Sequence, residues 1–293
     1  MGQDGATKPF LARSALPAVA FVAVVQVAAL AFTYFIAPVT MSSGYVYAPG
    51  GTSAAGSATS AVFLVIGAFV TTVIAVWLIK RKRENVFTWI ILIATSLALF
   101  LMTLLATSTV AAYFLDPDSA LVLSLLLSAG VTVAFSLVTR LPRLYSVAPV
   151  ITGLLSAEVG SIFASTIPVL TALLLAGVFS VYDIYAVFKG PLRQLVTIAP
   201  TRALTAVTSK VGDFTLGTGD TIFYSMLPAI GFIQGLSSTT DLGFNVPFAA
   251  ATMVAIDAGV VATLLLLSKS KMVPGLPIPM ALGLATLLLL MVF

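Results

Sequence analysis

The chain has 293 residues, of which 60% are apolar and only 8% are charged. Soluble domains usually carry about a quarter charged residues, so this composition excludes a water-soluble globular fold. The sequence contains no cysteine and no histidine. It therefore excludes disulfides, thiol catalysis, Ser-His nucleophile systems and zinc sites built from Cys or His. Nearly all remaining acid–base chemistry must therefore come from carboxylates, and we expect neither a metal nor an organic cofactor.

Apolar runs near or above the roughly 18–20 residues needed to cross a bilayer recur along the whole chain. They predict nine transmembrane helices, at about residues 15–37, 58–79, 87–114, 119–138, 147–166, 168–188, 213–234, 246–268 and 273–292. The predicted fold class is therefore an all-α integral membrane protein. Residues 1–293 are expected to form a single multi-pass transmembrane domain.

The basic residues predict the orientation of the chain in the membrane. Nine spans leave ten segments outside the bilayer, and all fourteen Lys and Arg residues fall in segments on one side: Lys8, Arg13, Lys80, Arg81, Lys82, Arg83, Arg140, Arg143, Lys189, Arg193, Arg202, Lys210, Lys269 and Lys271. Excess Lys and Arg marks the cytoplasmic side, which predicts a cytoplasmic N-terminus and an external C-terminus. This topological role explains the net charge of +4 better than an anionic partner does. We expect no nucleic-acid partner.

Four acidic residues fall inside predicted spans: Glu158, Asp183, Asp220 and Asp257. An ionisable group in hydrocarbon costs about 3 kcal/mol or more, which makes each of them a candidate functional residue. Asp183 precedes Lys189 by six residues, which places it about 9 Å from the cytoplasmic end of its helix. Asp220 lies on the next, antiparallel span, about 10–15 Å from the same face. The sequence therefore predicts that Asp183 and Asp220 form a pair.

Two adjacent carboxylates share one proton more readily than they both ionise. The ionised partner can then activate water as a general base, while the protonated partner donates to a substrate carbonyl. This chemistry is that of an aspartic protease and needs no metal. Glu158 and Asp257 are weaker candidates, expected either to bond to another helix or to line a path for the hydrolytic water.

Two further segments lie near this predicted pair. Gly217, Thr218 and Gly219 precede Asp220, and the glycines either loosen the backbone for an extended substrate or serve as small packing residues between helices. Prolines at 274, 277 and 279 resist a regular helix, so residues 273–279 are expected to be irregular at the cytoplasmic membrane edge. The alternative is an ordinary helix start with proline in its first turn.

These segments resemble a known family in three places. Residues 179–188, with the basic stretch 189–193, resemble the Tyr-Asp segment of presenilins. Residues 217–225 are similar to the presenilin Gly-x-Gly-Asp span, including its Phe-Tyr-Ser continuation, and residues 274–277 resemble the Pro-Ala-Leu-Pro motif. The signal peptide peptidases of the same superfamily share the short motifs but have the opposite orientation and lack the Phe-Tyr-Ser match.

The resemblance implies a nine-helix intramembrane aspartic endopeptidase that cuts peptide bonds within transmembrane helices, with its catalytic part in residues 168–293. Asp183 and Asp220 would be catalytic, Tyr182 would shape the site, and residues Pro274, Gly275, Leu276 and Pro277 would help to recognise substrate. Thr218 and Gly275 depart from the usual Leu and Ala and could alter cleavage preference. The segment 189–212 is too short to hold the cleavable insertion of animal presenilins.

The resemblance and the compact loops together suggest a prokaryotic or archaeal homologue in the cell membrane. Its expected partners are single-span transmembrane substrates and the lipid bilayer, with homo-oligomerisation as a further expectation. The main alternative is a cation channel or carrier whose intramembrane aspartates bind an ion. An inverted-repeat transporter should show broken helices in matching halves, and the sequence has no such repeat.

Overall fold

The structure is a computed structural model that describes residues 15–44, 46, 49–81, 83–189, 201–234, 244–269 and 273–292. Its helices are Leu16–Ser43 (α1), Ala54–Lys80 (α2), Glu84–Ala111 (α3), Pro117–Arg140 (α4), Ala148–Thr166 (α5), Val169–Phe188 (α6), Thr201–Val207 (α7), Thr218–Ile233 (α8), Val246–Lys269 (α9) and Pro277–Val292 (α10). Two short strands, Thr208–Val211 (β1) and Phe214–Gly217 (β2), lie between α7 and α8. Lys8, Arg13, Lys82, Lys271 and residues 190–193, which entered the sequence analysis, lie outside the described residues.

Seven helices within the described residues are long and apolar enough to cross a membrane. They support a multi-pass membrane protein, as predicted. Helices α8 and α10 have 16 residues each. At a rise of about 1.5 Å per residue each is roughly 24 Å long, short of a hydrocarbon core of about 30 Å. The predicted count of nine spans is therefore not confirmed by helix length.

The predicted seventh span, 213–234, is wrong at its start, because residues 214–217 form a strand. β1 and β2 pair antiparallel, with Val211 opposite Phe214, so only Gly212 and Asp213 form the turn. Gly212 has φ of 61°, a left-handed conformation that glycine adopts without strain. Hydropathy cannot separate a short apolar strand from the first turn of a helix, which explains the error. The described residues otherwise fold as helices, as predicted, and this short hairpin is added to them.

Helices α5 and α8 form the centre of the bundle. Fifteen residues of α5 and thirteen of the sixteen in α8 are buried. They pack against each other closely because Gly160 has no side chain where Ser225 approaches; a Cβ there would overlap the Ser225 hydroxyl. α1 packs along both, while α9 and α10 pair beside α8. Apolar side chains of α2, α3 and α4 remain exposed on the outside of the bundle, as expected for helices that face lipid.

One end of the bundle gathers basic residues, and we call it the basic end. The Arg140 guanidinium lies 5.8 Å from the centre of the Trp89 ring, which brings the end of α4 to the start of α3. Arg202 Nε on α7 donates to the Thr139 carbonyl at 3.2 Å, so α7 lies at the same end. α2 also ends here, at Lys80, and three residues separate it from the start of α3. This end therefore collects chain segments that the charge pattern assigned to one side of the membrane.

Candidate active site

Asp183 lies near the C-terminal end of α6 and contacts the segment before α10. Its Oδ2 accepts a hydrogen bond from the backbone N–H of Leu276 at 3.0 Å. Residues 273–276 are not helical, as the prolines predicted, but the predicted irregular stretch ends earlier than 279. The helix α10 begins at Pro277, so Pro277 and Pro279 lie in its first turn, as the alternative interpretation expected. Because residues 273–276 are not helical, the Leu276 N–H is not committed to a helical bond and can reach the carboxylate.

Asp220 lies in the first turn of α8, where the positive end of the helix dipole favours a carboxylate. Two glycines make room for it. A Cβ built on Gly275 would lie 2.6 Å from Asp220 Oδ2, and one built on Gly217 would lie 3.0 Å from it. Asp220 also interacts electrostatically with Asp183. The predicted pair is therefore brought together at this segment: Gly275 lies against Asp220, and the backbone N–H groups of Leu276 and Gly275 both approach Asp183.

Tyr224 joins the two halves of this arrangement. It is buried, lies one helical turn after Asp220, and its hydroxyl donates to the Gly275 carbonyl at 2.8 Å. Through this bond α8 holds Gly275 in place. The N–H of the following residue, Leu276, is the group that binds Asp183. The sequence analysis assigned Tyr224 no role beyond the motif, although its position four residues after Asp220 on a helix predicts that both face the same side.

Hydroxyl groups on α5 fix the start of α8, and sequence reasoning did not identify them. The hydroxyls of Ser156 and Thr221 lie 2.6 Å apart, and Ser156 also donates to the Thr218 carbonyl at 3.3 Å. Ser225 donates to the Ser156 carbonyl at 3.0 Å. These bonds occupy the turn that carries Asp220, so they restrain its backbone. Hydroxyl residues are common in membrane helices, which is why the sequence gave no distinctive signal.

Gln26 on α1 is a second functional candidate that sequence reasoning missed. Its side chain is fully buried, and Nε2 donates to the Tyr224 carbonyl at 3.3 Å. The same side chain interacts with the carboxyl group of Asp257 on α9. Gln26 therefore links α1, α8 and α9 behind the aspartate pair. A lone amide within an apolar span was the available signal.

Glu158 and Asp257 do not join the pair but bond to other helices, one of their two expected roles. Thr103 on α3 donates to Glu158 Oε2 at 2.9 Å, and Glu158 is 1% exposed. The other carboxylate oxygen of each residue, Glu158 Oε1 and Asp257 Oδ1, is buried with no hydrogen-bond partner among the described residues. Both acids therefore act within the helix packing around the site.

The remaining predicted site residues lie close to the pair but make different contacts. The Tyr182 hydroxyl donates to Thr72 Oγ1 on α2 at 3.1 Å, so this side chain joins α6 to α2. The Thr218 hydroxyl is buried without a partner among the described residues. Nothing lies within 4 Å of a Cβ built on Gly219. The open space at Gly219 argues against a packing role for this glycine, whereas Gly217 packs against Asp220 itself.

A large cavity lies toward the opposite end of the bundle from the pair. Its volume is about 900 Å³, and α1, α2, α3 and α5 line it, with Ile36, Leu64, Met102 and Ile162 among the apolar lining residues. Its polar lining consists of hydroxyl groups, including those of Thr40 and Thr166. Ile167, which also lines the cavity, comes just before α6. Asp183 lies further along α6, about 24 Å from Ile167 at a rise of about 1.5 Å per residue.

No protein-family model matches the sequence, and no curated protein matches it either. Solved structures do match, among them two of a presenilin family intramembrane aspartate protease. The structure in space group C222 is 20% identical with a TM-score of 0.60, and the match covers 92% of this chain and 97% of that one. The structure in space group P2 is 23% identical with a TM-score of 0.56, over 89% and 94% of the two chains. The protein therefore has the fold of presenilin family intramembrane aspartate proteases.

Proposed function

We propose that this protein is an intramembrane aspartic endopeptidase whose catalytic groups are Asp183 and Asp220. The observation that carries the proposal is the convergence of both carboxylates on one short segment. Asp183 accepts the Leu276 N–H, while Asp220 occupies the space beside Gly275. A structural role would not require two acids to meet in the interior of an apolar bundle, where each costs about 3 kcal/mol or more to bury. Within the described residues, no contact favours an ion channel or carrier over this function.

The arrangement supports hydrolysis by a shared proton. One aspartate, ionised, removes a proton from a water molecule as that water attacks the scissile carbonyl carbon. The other aspartate, protonated, donates its proton to the carbonyl oxygen, giving a tetrahedral gem-diol. The first aspartate then gives its proton to the amide nitrogen, and the second aspartate takes a proton from one gem-diol hydroxyl, as the C–N bond breaks and the carboxylic acid forms. The pair ends the cycle with one proton, as it began.

The hairpin supplies a means of holding an extended substrate. β2 runs directly into α8, so its last residue, Gly217, is three positions before Asp220. Only β1 pairs with β2 among the described residues, which leaves an outer edge to which an unwound peptide can add as a strand. Such pairing satisfies backbone groups that would otherwise be unpaired within the membrane.

The preferred substrates are single-span transmembrane proteins. The cavity of about 900 Å³ between α1, α2, α3 and α5 has an apolar lining that suits the helical part of such a substrate. The substrate would run from this cavity toward the basic end and unwind beside the hairpin. Tyr182, Thr218, Gly219 and residues 274–277 would then contact the unwound part, and the open space at Gly219 is consistent with this.

The remaining proposals concern topology, environment and assembly. Nine spans are proposed, with α8 and α10 crossing the membrane despite their length because neighbouring helices bury much of α8. The concentration of Lys and Arg places the basic end and the N-terminus in the cytoplasm and the C-terminus outside. The location is proposed to be a prokaryotic cell membrane. Homo-oligomerisation is also proposed, and the proposed pair would remain within each chain.

The test is cleavage of a single-span transmembrane peptide by the purified protein, compared with Asp183→Asn and Asp220→Asn. Asparagine keeps the side-chain shape but neither donates nor accepts the required proton. Each variant is expected to lose cleavage by about 10²-fold to 10⁴-fold, the usual contribution of a general acid or base. Thermal unfolding should confirm that both variants remain folded.

The matched control is Asp118→Asn, an exposed carboxylate in the first turn of α4, at the end of that helix opposite Arg140. Its cleavage rate should equal that of the parent protein. Parent-like cleavage by either Asp183→Asn or Asp220→Asn would remove that residue from catalysis. If the parent cuts no peptide but passes cations across liposomes, and either substitution stops the flux, the protein is a channel or carrier.

A further inference from the structure

A groove on the outside of the bundle lies between α3 and α4 and is separate from the aspartate pair. Its volume is about 370 Å³, and Trp89, Ser96 and Phe100 of α3 face Ser136 and Arg140 of α4 across it. The groove is open to the bilayer, since Trp89 is 53% exposed. It begins at the basic end, where Trp89 and Arg140 meet, and runs inward to Phe100.

The dimensions of the groove match half of a bilayer. Trp89 and Phe100 are eleven residues apart on one helix, which corresponds to about 16 Å. One leaflet of a hydrocarbon core about 30 Å thick is about 15 Å deep. Ile93 and Leu97, between these residues, give the groove an apolar wall. An acyl chain that entered from the basic end would therefore lie along the groove for the full depth of one leaflet.

The mouth of the groove is positively charged. Arg140 is the only charged residue among the described residues that line it. The Arg202 guanidinium lies beside it, bonded through Nε to the carbonyl of Thr139, the residue before Arg140. Two arginines near the same helix end favour an anionic ligand such as a phosphate or a carboxylate. Trp89 also lies at this level, which is typical of residues at the membrane–water interface.

From this combination we infer that the groove between α3 and α4 is a binding site for one anionic phospholipid. The phosphate binds Arg140, with Arg202 adding to the field, and the Ser136 hydroxyl, one turn further in, reaches the glycerol ester region. One acyl chain lies between α3 and α4, ending near Phe100. A zwitterionic lipid fits the apolar part equally well but carries an ammonium group, which the two guanidinium groups repel.

The test measures lipid binding to the full-length protein in detergent by native mass spectrometry. Phosphatidylglycerol and phosphatidylcholine with identical acyl chains are titrated separately, and the apparent dissociation constant of the first bound lipid is determined. The parent should bind phosphatidylglycerol more tightly. Arg140→Gln should weaken that binding about fivefold, which corresponds to ~1 kcal/mol for one basic residue near a lipid surface. Phosphatidylcholine binding should change little.

Arg81→Gln is the matched control, because Arg81 also lies over a tryptophan, Trp77, at 5.1 Å, but does not line this groove. It should bind phosphatidylglycerol as the parent does. Ser136→Phe, which fills the groove without altering charge, should weaken binding of both lipids. The inference is overturned if Arg140→Gln binds like the parent, if Arg81→Gln weakens binding as much as Arg140→Gln, or if Ser136→Phe has no effect. Glycerol 3-phosphate, a headgroup without chains, should not displace the bound lipid.

Discussion

Tyr224 is the residue through which the two aspartates depend on a common backbone. Asp220 precedes it by one turn on α8, and its hydroxyl holds the Gly275 carbonyl at 2.8 Å. The peptide unit after Gly275 supplies the N–H that binds Asp183. A shift of the segment 274–277 would therefore move the groups around both carboxylates at once. Tyr224 acts as a positioning residue in the proposed protease, since it contacts the segment that binds Asp183.

Replacement of Tyr224 by Phe removes only the hydroxyl and keeps the buried ring. A neutral hydrogen bond contributes about 0.5–1.5 kcal/mol, so we expect kcat for peptide cleavage to fall by about threefold to tenfold with KM nearly unchanged. Steady-state kinetics on a transmembrane peptide would measure both quantities. An unchanged kcat would show that the segment 274–277 stays in place without this bond.

Tyr113→Phe is a close control for Tyr224→Phe. The Tyr113 hydroxyl also donates to a backbone carbonyl of another helix, that of Phe35, at 3.2 Å. It lies next to the end of α3, away from the start of that helix at the basic end. Its loss should leave kcat unchanged. An equal fall in kcat for both variants would indicate a general loss of helix packing.

For single residues, the sequence identified the two aspartates but not the groups that contact and position them. The pairing of Asp183 and Asp220 followed from their depths in antiparallel spans, and the structure brings them together. The depth of Asp220 was nevertheless estimated along a helix that does not exist before residue 218. The contacts of Ser156, Gln26 and Gly275 could not be predicted, because each depends on which helices become neighbours.

Among the secondary-structure elements, α8 must meet several structural requirements at once. It begins at the end of a strand, carries Asp220 in its first turn, and is buried over almost its whole length. Two helices and one irregular segment bond to it through polar groups: α5 through Ser156, α1 through Gln26, and the segment before α10 through Gly275. Hydrogen bonds between helices fix rotation and depth where lipid provides no hydrophobic driving force for association.

Gln26→Leu tests whether α1 helps to place α8. Leucine has a similar size but cannot donate to the Tyr224 carbonyl or interact with Asp257. Hydrogen bonds between membrane helices contribute about 0.6 kcal/mol on average, so the loss of stability should be small. We expect kcat to fall by about threefold, since 0.6 kcal/mol corresponds to that factor when the bond acts on the reacting geometry. Thermal unfolding and cleavage kinetics would be measured on the same preparation.

Thr33→Val provides the comparison on the same helix. Thr33 is also fully buried, and its hydroxyl donates to Ser161 on α5 at 3.0 Å, two turns further along α1 than Gln26. This variant should lose about as much stability as Gln26→Leu but keep the parent kcat. If both variants lose stability and kcat together, α1 contributes to the fold alone and Gln26 has no particular role in placing α8.

For the whole molecule, the separation of charge and cavity between its two ends suggests how a substrate is handled. The basic end carries Arg140, Arg202 and the hairpin, and the aspartate pair lies near it. The large apolar cavity lies toward the other end. A substrate held as a helix in the cavity would reach the pair only after most of its span had entered the bundle. Cleavage would then fall nearer the cytoplasmic end of the substrate span.

The absence of cysteine from the sequence makes the orientation directly measurable. Asp118→Cys places a thiol at the exposed start of α4, and Arg143→Cys places one just beyond the end of the same helix. With the basic end in the cytoplasm, a membrane-impermeant maleimide should label Asp118→Cys in intact cells. It should label Arg143→Cys only after the cells are broken.

The reverse labelling pattern would invert the proposed orientation without affecting the proposed chemistry. Labelling of both thiols in intact cells would mean that α4 does not cross the membrane. The parent protein, which has no thiol, gives the background signal in each preparation.

The sequence by itself determined the solvent, the chemistry and the candidate pair. A chain with 8% charged residues must be surrounded by lipid, and a chain without Cys or His must use carboxylates. The prolines at 274, 277 and 279 indicated an irregular segment before the last helix, because proline provides no N–H and fixes its own backbone. The helix then begins at Pro277, a first-turn position that proline tolerates. These are local properties, and they can be read one residue or one helix turn at a time.

Only the tertiary structure decided which polar groups meet. The hairpin forms because β1 and β2 satisfy each other's backbone groups, a pairing that hydropathy does not reveal. The segment 273–276 approaches Asp183 and Asp220 because α10 packs beside α6 and α8. In lipid, apolar surfaces of all helices are nearly equivalent, so neighbours are selected by small residues and scattered hydrogen bonds. Those selections depend on the whole bundle, and the sequence pattern of any one helix does not contain them.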